Sequence, residues 1–322
     1  MPLMFKAPWW AKSPHLQTIL PVLTKPPLPA FKRERVELAD GDFIDLDWLN
    51  DWHEGAPIVV VVHGLEGSAK SHYARRIMHY CRQAKLNAVV HHHRGCSGEA
   101  NRLPRSYHSG DTADLHNSLT LIKQRYPQQP LWAVGYSLGG NVLAKYQAEQ
   151  QQRSLVDAAV IVSAPLMLAS CSRKLEQGFS RVYQRYLLKQ LQQKMRAKQR
   201  QHPQITHANI DELNTFYRFD DQLTAPLHGF ANADDYYQQS SAKPLIEQIC
   251  RPTLILHAAD DPFMSEAVLL NANALPAAVT YELCPQGGHV GFINGGTPWR
   301  PRYYLEQRII GFLQEQHDVS PV

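Results

Sequence analysis

The run Pro57-Ile58-Val59-Val60-Val61-Val62 constrains the fold of this chain more than any other stretch. It is β-branched almost throughout and has no polar residue at alternate positions. β-branched side chains favour extended backbone, and a strand wetted on one face would alternate apolar and polar residues. A strand without alternation is covered on both faces, which calls for a parallel sheet with helices above and below. Further strands are expected at 86–91, 131–134, 158–162, 253–256 and 280–283, the final one expected to be the last strand. Helical stretches lie between them at 71–83, 112–126 and 141–149, and another closes the chain at 305–316. Strands and helices at this rhythm predict an α/β architecture, an open and mostly parallel twisted sheet flanked by helices. Ahead of it, residues 35–38 and 45–48 alternate polar and apolar around Asp40-Gly41-Asp42, as a β-hairpin does.

One region breaks the rhythm. Residues 164–249 offer no convincing core strand, and within 173–200 Leu175, Phe179, Val182, Tyr186, Leu187 and Leu191 recur at helical spacing. Residues 36–163 and 250–322 therefore read as two parts of one core, and 164–249 as a helical cap inserted between two strands. Such an insertion lies over the carboxyl ends of the strands, where open α/β sheets bind ligands. The Lys and Arg residues of 173–200 are expected on a solvated helix face. A nucleic-acid contact there is disfavoured by the interleaved glutamines and by a net charge of only +4. Residues 1–35 form an N-terminal segment expected to pack on the core. Its prolines speak against a long helix, and it has too few basic residues to hold an anionic lipid surface.

The chemistry-bearing motif is Gly135-Tyr136-Ser137-Leu138-Gly139, set between the apolar run at 131–134 and a helix-forming run. A strand that turns into a helix within a residue or two strains the serine at the turn, and glycines on either side let strand and helix pass closely. The helix N-terminus then aims free N–H groups at the Ser137 hydroxyl. A serine is a weak nucleophile until a base takes its proton, and that base needs an orienting acid. Asp260-Asp261-Pro262 follows one strand and His289 lies in a glycine-rich loop after another, giving the chain order Ser, Asp, His. Asp261 is the expected acid; Asp260 is the alternative, more suited to bonding backbone N–H groups of its turn. Oxyanion donors are expected from the backbone N–H of Leu138 and, in the loop His63-Gly64-Leu65-Glu66-Gly67-Ser68, from that of Leu65. Glu66 is awkward there, since its charge would oppose an oxyanion unless it points away or is bonded.

Other features carry less. His91-His92-His93 alternate faces at a strand end and cannot converge on one metal ion. The five cysteines are odd in number and irregularly spaced, which fits free thiols in a reducing compartment. No signal-peptide h-region or membrane-length apolar stretch is visible, so a soluble cytoplasmic protein without stable membrane insertion is expected.

The stretches Ser13-Pro14-His15-Leu16-Gln17-Thr18, His63 to Ser68, His93-Arg94-Gly95-Cys96-Ser97, Gly135 to Asn141, Asp260 to Phe263 and Gly287 to Phe292 span nearly the whole chain. With them in that order, the chain resembles the α/β-hydrolase superfamily, and within it the YheT branch of bacterial esterases and animal ABHD-type hydrolases. The resemblance implies a serine hydrolase acting on small-molecule carboxylic esters without a cofactor. A thioesterase or acyltransferase would use the same residues, as would a binding protein that had lost turnover. Acyl length, alcohol portion and oligomeric state have no signature in the sequence.

Overall fold

The computed structural model describes residues 5–205 and 208–319. Met1 to Met4 of the N-terminal segment and residues 206–207 of the cap region lie outside the described residues. Eight strands form one sheet: β1 (Phe31–Glu37), β2 (Phe43–Leu49), β3 (Ile58–Val62), β4 (Asn87–His91), β5 (Leu131–Tyr136), β6 (Ala158–Val162), β7 (Thr253–Ala258) and β8 (Val279–Cys284). Their spatial order is β1-β2-β4-β3-β5-β6-β7-β8. The β1–β2 hairpin joins β4 antiparallel, and every pairing from β4 to β8 is parallel.

The all-apolar strand β3 sits inside this order, between β4 and β5. Its side chains alternate between two cores. Val60 and Val62 pack into the layer holding Leu115, Leu119 and Leu143, while Val59 and Val61 pack into the opposite layer with Ile77, Met78 and Leu313. Each of these valines is fully buried. At roughly 1.5–3 kcal/mol for each buried aliphatic side chain, this strand alone pins the register of its neighbours. The helices that cover the two faces are α2 (His72–Gln83), α3 (Ala113–Arg125), α4 (Leu138–Gln150) and the C-terminal helix (Leu305–Val319).

Between β6 and β7 the described residues contain helices and no strand. The main ones are α5 (Leu168–Leu175), α6 (Ser180–Gln201), α7 (Phe216–Phe219, continued by a π-turn), α8 (Ala225–Leu227) and α9 (Ala233–Ser240). Leu175, Leu188, Met195, Phe216, Phe219 and Leu223 give the region a core of its own.

Two expectations need correction. Residues 280–283 do not form the last strand: β9 (Ile293–Thr297) and β10 (Arg300–Tyr303) follow as a separate antiparallel hairpin. Its Gly295-Gly296-Thr297-Pro298 and Pro301 resemble a loop, the two strands pair only with each other, and of their residues Ile293 and Gly295 alone are buried, too few to show a hydrophobic period. In the proline-rich N-terminal segment, where a long helix is not expected, a ten-residue one forms, α1 (Pro14–Leu23), with Pro21 inside it. Pro14 occupies the first turn, where no N–H is needed, and the Ser13 side chain caps the Leu16 N–H. Finally, the lysines of α6 are not all solvated. Lys198 is buried and donates to the carbonyls of Leu103 and Arg105, and burial brings it down to about 8. No helix among the described residues is long and apolar enough to cross a membrane.

Candidate active site

Ser137 stands between β5 and α4 at φ 51°, ψ −121°, a backbone region that costs a non-glycine residue about 1–3 kcal/mol. The two flanking glycines explain how the turn closes. A Cβ on Gly135 would fall 2.5 Å from the carbonyl oxygen of Gly139. One on Gly139 would overlap the carbonyls of Val62 and His63 at the end of β3. Any side chain at either position would force the strand, the helix and the neighbouring loop apart.

The loop after β8 brings His289 to this turn. Its Nε2 lies 3.0 Å from Ser137 Oγ and its Nδ1 lies 2.9 Å from Asp261 Oδ2. Asp261 is buried, and its other oxygen accepts the Phe263 N–H at 2.8 Å. Asp260 bonds backbone as expected of it, but not only within its own turn: Oδ1 accepts the Gly288 N–H of the histidine loop at 2.9 Å. Burial raises the Asp260 carboxyl above its ordinary value. The two adjacent aspartates thus divide the loop, one holding the imidazole and the other the backbone that carries it.

The histidine loop is further clamped by residues the sequence analysis had given no role. Thr18 Oγ1 accepts the His289 N–H at 2.9 Å and donates to the Pro14 carbonyl at 2.7 Å. Buried Gln17 bonds both the N–H and the carbonyl of Ile293. A Cβ on Gly288 would lie 2.5 Å from the Pro14 carbonyl oxygen, and one on Gly291 would overlap the Gln17 carbonyl. Ser13-Pro14-His15-Leu16-Gln17-Thr18 is therefore the bed on which this loop rests. Phe263 stacks flat on the His289 ring, with centroids 3.9 Å apart and planes 2° apart. Its position directly after Asp261-Pro262 was the one available signal.

On the other side, the loop after β3 passes close enough to Ser137 that a Cβ on Gly64 would meet the Ser137 Cβ at 3.1 Å. The N–H groups of Leu65 and Leu138 have no hydrogen-bond partner among the described residues, and both residues line the same cavity as Ser137 and His289. Glu66, at φ 52°, is resolved by its surroundings. Its N–H donates to Tyr107 Oη, whose hydroxyl donates to Glu66 Oε1, each at 2.8 Å. Lys194 from α6 completes the carboxylate's shell, also at 2.8 Å. Burial works against the Lys194 charge, but Cys96 and Glu66 together hold its pKa above the ordinary value. Cys96 Sγ lies 3.2 Å from Lys194 Nζ, yet burial pushes the thiol up to about 11, so it stays protonated near neutrality.

The histidine run behind this loop is structural wiring. His63 Nδ1 donates to the Gly64 carbonyl, and His63 Nε2 accepts the His93 N–H. His93 Nε2 donates back to the His63 carbonyl. His91 pairs with Ser118 and His92 with Asp47. The three consecutive rings reach three different partners. Burial depresses His63 and His91 well below the usual imidazole value and brings His93 down to about 4.

Above Ser137 lies a cavity of about 800 Å³. Its walls come from α1 (Val22), the inserted helices (Leu175, Leu187, Leu191, Met195, Phe216) and the Leu65 loop.

A model of the α/β hydrolase fold matches residues 57–296, three-quarters of the chain. The chain belongs to the α/β-hydrolase family. Among its relatives, "Putative esterase YheT" of Escherichia coli K12 is 47% identical over 93% of this chain and 89% of its own length. "Phospholipase ABHD3" of Bos taurus is 28% identical over 97% of this chain and 79% of its own. Among solved structures, the Pyrococcus furiosus esterase Pf2001 superposes with a TM-score of 0.58 at 13% identity, covering 98% of this chain and 99% of that one. At that identity the likeness speaks to the fold.

Proposed function

We propose that this α/β-hydrolase cleaves carboxylic esters through an acyl-enzyme intermediate. The observation that carries the reading is the continuous hydrogen-bonded chain Ser137–His289–Asp261 at the floor of an apolar cavity. In this reading Ser137 Oγ attacks the ester carbonyl while His289 Nε2 takes its proton. Asp261 accepts the Nδ1–H bond, fixes the tautomer and stabilises the imidazolium. The oxyanion forms between the N–H groups of Leu65 and Leu138, which have no hydrogen-bond partner among the described residues to give up. His289 then protonates the departing alcohol. A water, deprotonated by the same nitrogen, attacks the acyl-serine and releases the acid. The names of the relatives, an esterase and a phospholipase, agree with ester chemistry.

The cavity bears on the acyl portion. Its aliphatic and aromatic lining favours a hydrocarbon chain, and each methylene taken from water contributes about 0.8 kcal/mol. KM for p-nitrophenyl esters should fall as the acyl chain lengthens, until the cavity is filled. The central test is labelling by a fluorophosphonate. The native chain should react and Ser137→Ala should not, with ester turnover falling by roughly 10⁴-fold or more. A folded native chain that neither labels nor turns over any ester would sink the reading and leave a binding protein on the same fold.

A further inference from the structure

We propose that the mouth of the cavity is a docking face for an anionic lipid surface. The rim is built from two helices far apart in sequence that meet at His15. His15 of α1 bonds Tyr183 Oη of α6 at 3.0 Å and packs on Phe179. From α1, Val22 and Leu23 stand 45% and 74% exposed; from α6, lining the same cavity, Val182 and Tyr186 stand 51% and 65% exposed. Large apolar side chains clustered this way, rather than scattered singly, mark an interaction site.

The angular arrangement of α6 shows what the rim meets. At roughly 100° per residue, Tyr183, Leu187 and Gln190 face the cavity and Phe179, Val182 and Tyr186 form the next stripe outward. Arg181, Arg185 and Lys189 form the stripe beyond that, all exposed. Lys25 and Lys70, also exposed, line the cavity from the α1 and α2 sides. None of these five has an ion pair among the described residues. Residues 177–205 and 5–33 contain no Asp or Glu. An apolar ridge bordered by unpaired cations fits an interface where hydrocarbon lies beneath negatively charged headgroups. The ridge is also continuous with the cavity wall, so an acyl chain rising from a lipid layer would stay against apolar surface on its way toward Ser137. A nucleic acid would use the cations and leave the apolar ridge wet.

The test is sedimentation of the full chain with vesicles. Binding to vesicles rich in phosphatidylglycerol is expected, with much weaker binding to pure phosphatidylcholine and a loss of binding as salt is raised. Leu23→Asp, and separately the exposed triple reversal Arg181→Glu, Arg185→Glu, Lys189→Glu, should each cut vesicle partitioning about tenfold or more with melting temperature unchanged. Ser137→Ala should bind as the native chain does, which separates this proposal from the catalytic one. Three outcomes would overturn it: no retention on the anionic vesicles; equal retention of native and variant chains; or a native dimer that Leu23→Asp splits, which would assign the ridge to a second copy of the chain.

Discussion

The Ser137 turn and the His289 loop are held in place by different means. The turn is made by its own sequence: Gly135 and Gly139 flank the serine, and the close approaches they permit are to each other and to the end of β3. The histidine loop is held from a distance. Its anchors are Thr18 and Gln17, more than 270 positions earlier, together with Asp260 and Phe263 from the loop after β7. One half of the site is thus specified by backbone sterics, within the turn and against the adjacent strand β3. The other is specified by side chains brought in from the N-terminal segment and from the loop after β7. The lesson is that the two halves should fail differently, the first by loss of fold and the second by loss of alignment in a folded protein.

The largest effect is expected at the turn. Gly139→Val would drive a side chain into the carbonyls of Val62 and His63, and should cost more than about 4 kcal/mol, enough to remove most soluble protein. A folded, soluble Gly139→Val chain by circular dichroism would break the comparison at its root.

Next comes the histidine clamp. Thr18→Val keeps the shape but leaves the His289 N–H without an acceptor, at about 1–3 kcal/mol. We expect kcat to fall roughly tenfold to a hundredfold while the melting temperature shifts by only a few degrees, with Thr18→Ser close to native. Equal losses in both variants would show that packing, not the hydrogen bond, positions the loop.

The loop after β3 lies between the two cases, because its backbone strain at Glu66 is local but its anchor, Lys194, comes from the inserted helices. Lys194→Met leaves the buried Glu66 carboxylate without its cation, and kcat should drop about tenfold. Adding Glu66→Gln should recover part of that loss. A double-mutant cycle with no coupling would dissociate the ion pair from the loop. The smallest effect is expected for Phe263→Leu, which removes the ring stacked on His289 and should slow turnover by a few-fold, read in kcat at unchanged stability.

What could be read from the sequence follows the same division. The strand β3 and the Gly135–Gly139 turn were legible because each rests on steric rules acting within a few residues. The alternation of strands and helices was legible for the same reason, through hydrophobic period. The β9–β10 hairpin was not, since Ile293 and Gly295 are its only buried residues and leave no period to read. Ser13 to Thr18 stood out as a motif, but its job as the bed of the histidine loop could not be inferred from residues that contact it only through the fold.

By itself, then, the sequence determined which serine is strained, which strand is sealed on both faces, and the order in which Asp261 and His289 follow that serine. The tertiary structure decided how Glu66 is neutralised, why Lys198 is buried, and which exposed side chains share the cavity rim. The physical reason is range. Backbone sterics and hydrophobic period act over a handful of residues, and a chain carries them wherever it goes. Desolvation and charge pairing depend on what has been brought near from elsewhere, as Lys194 is brought to Glu66 and Lys198 to the carbonyls of Leu103 and Arg105.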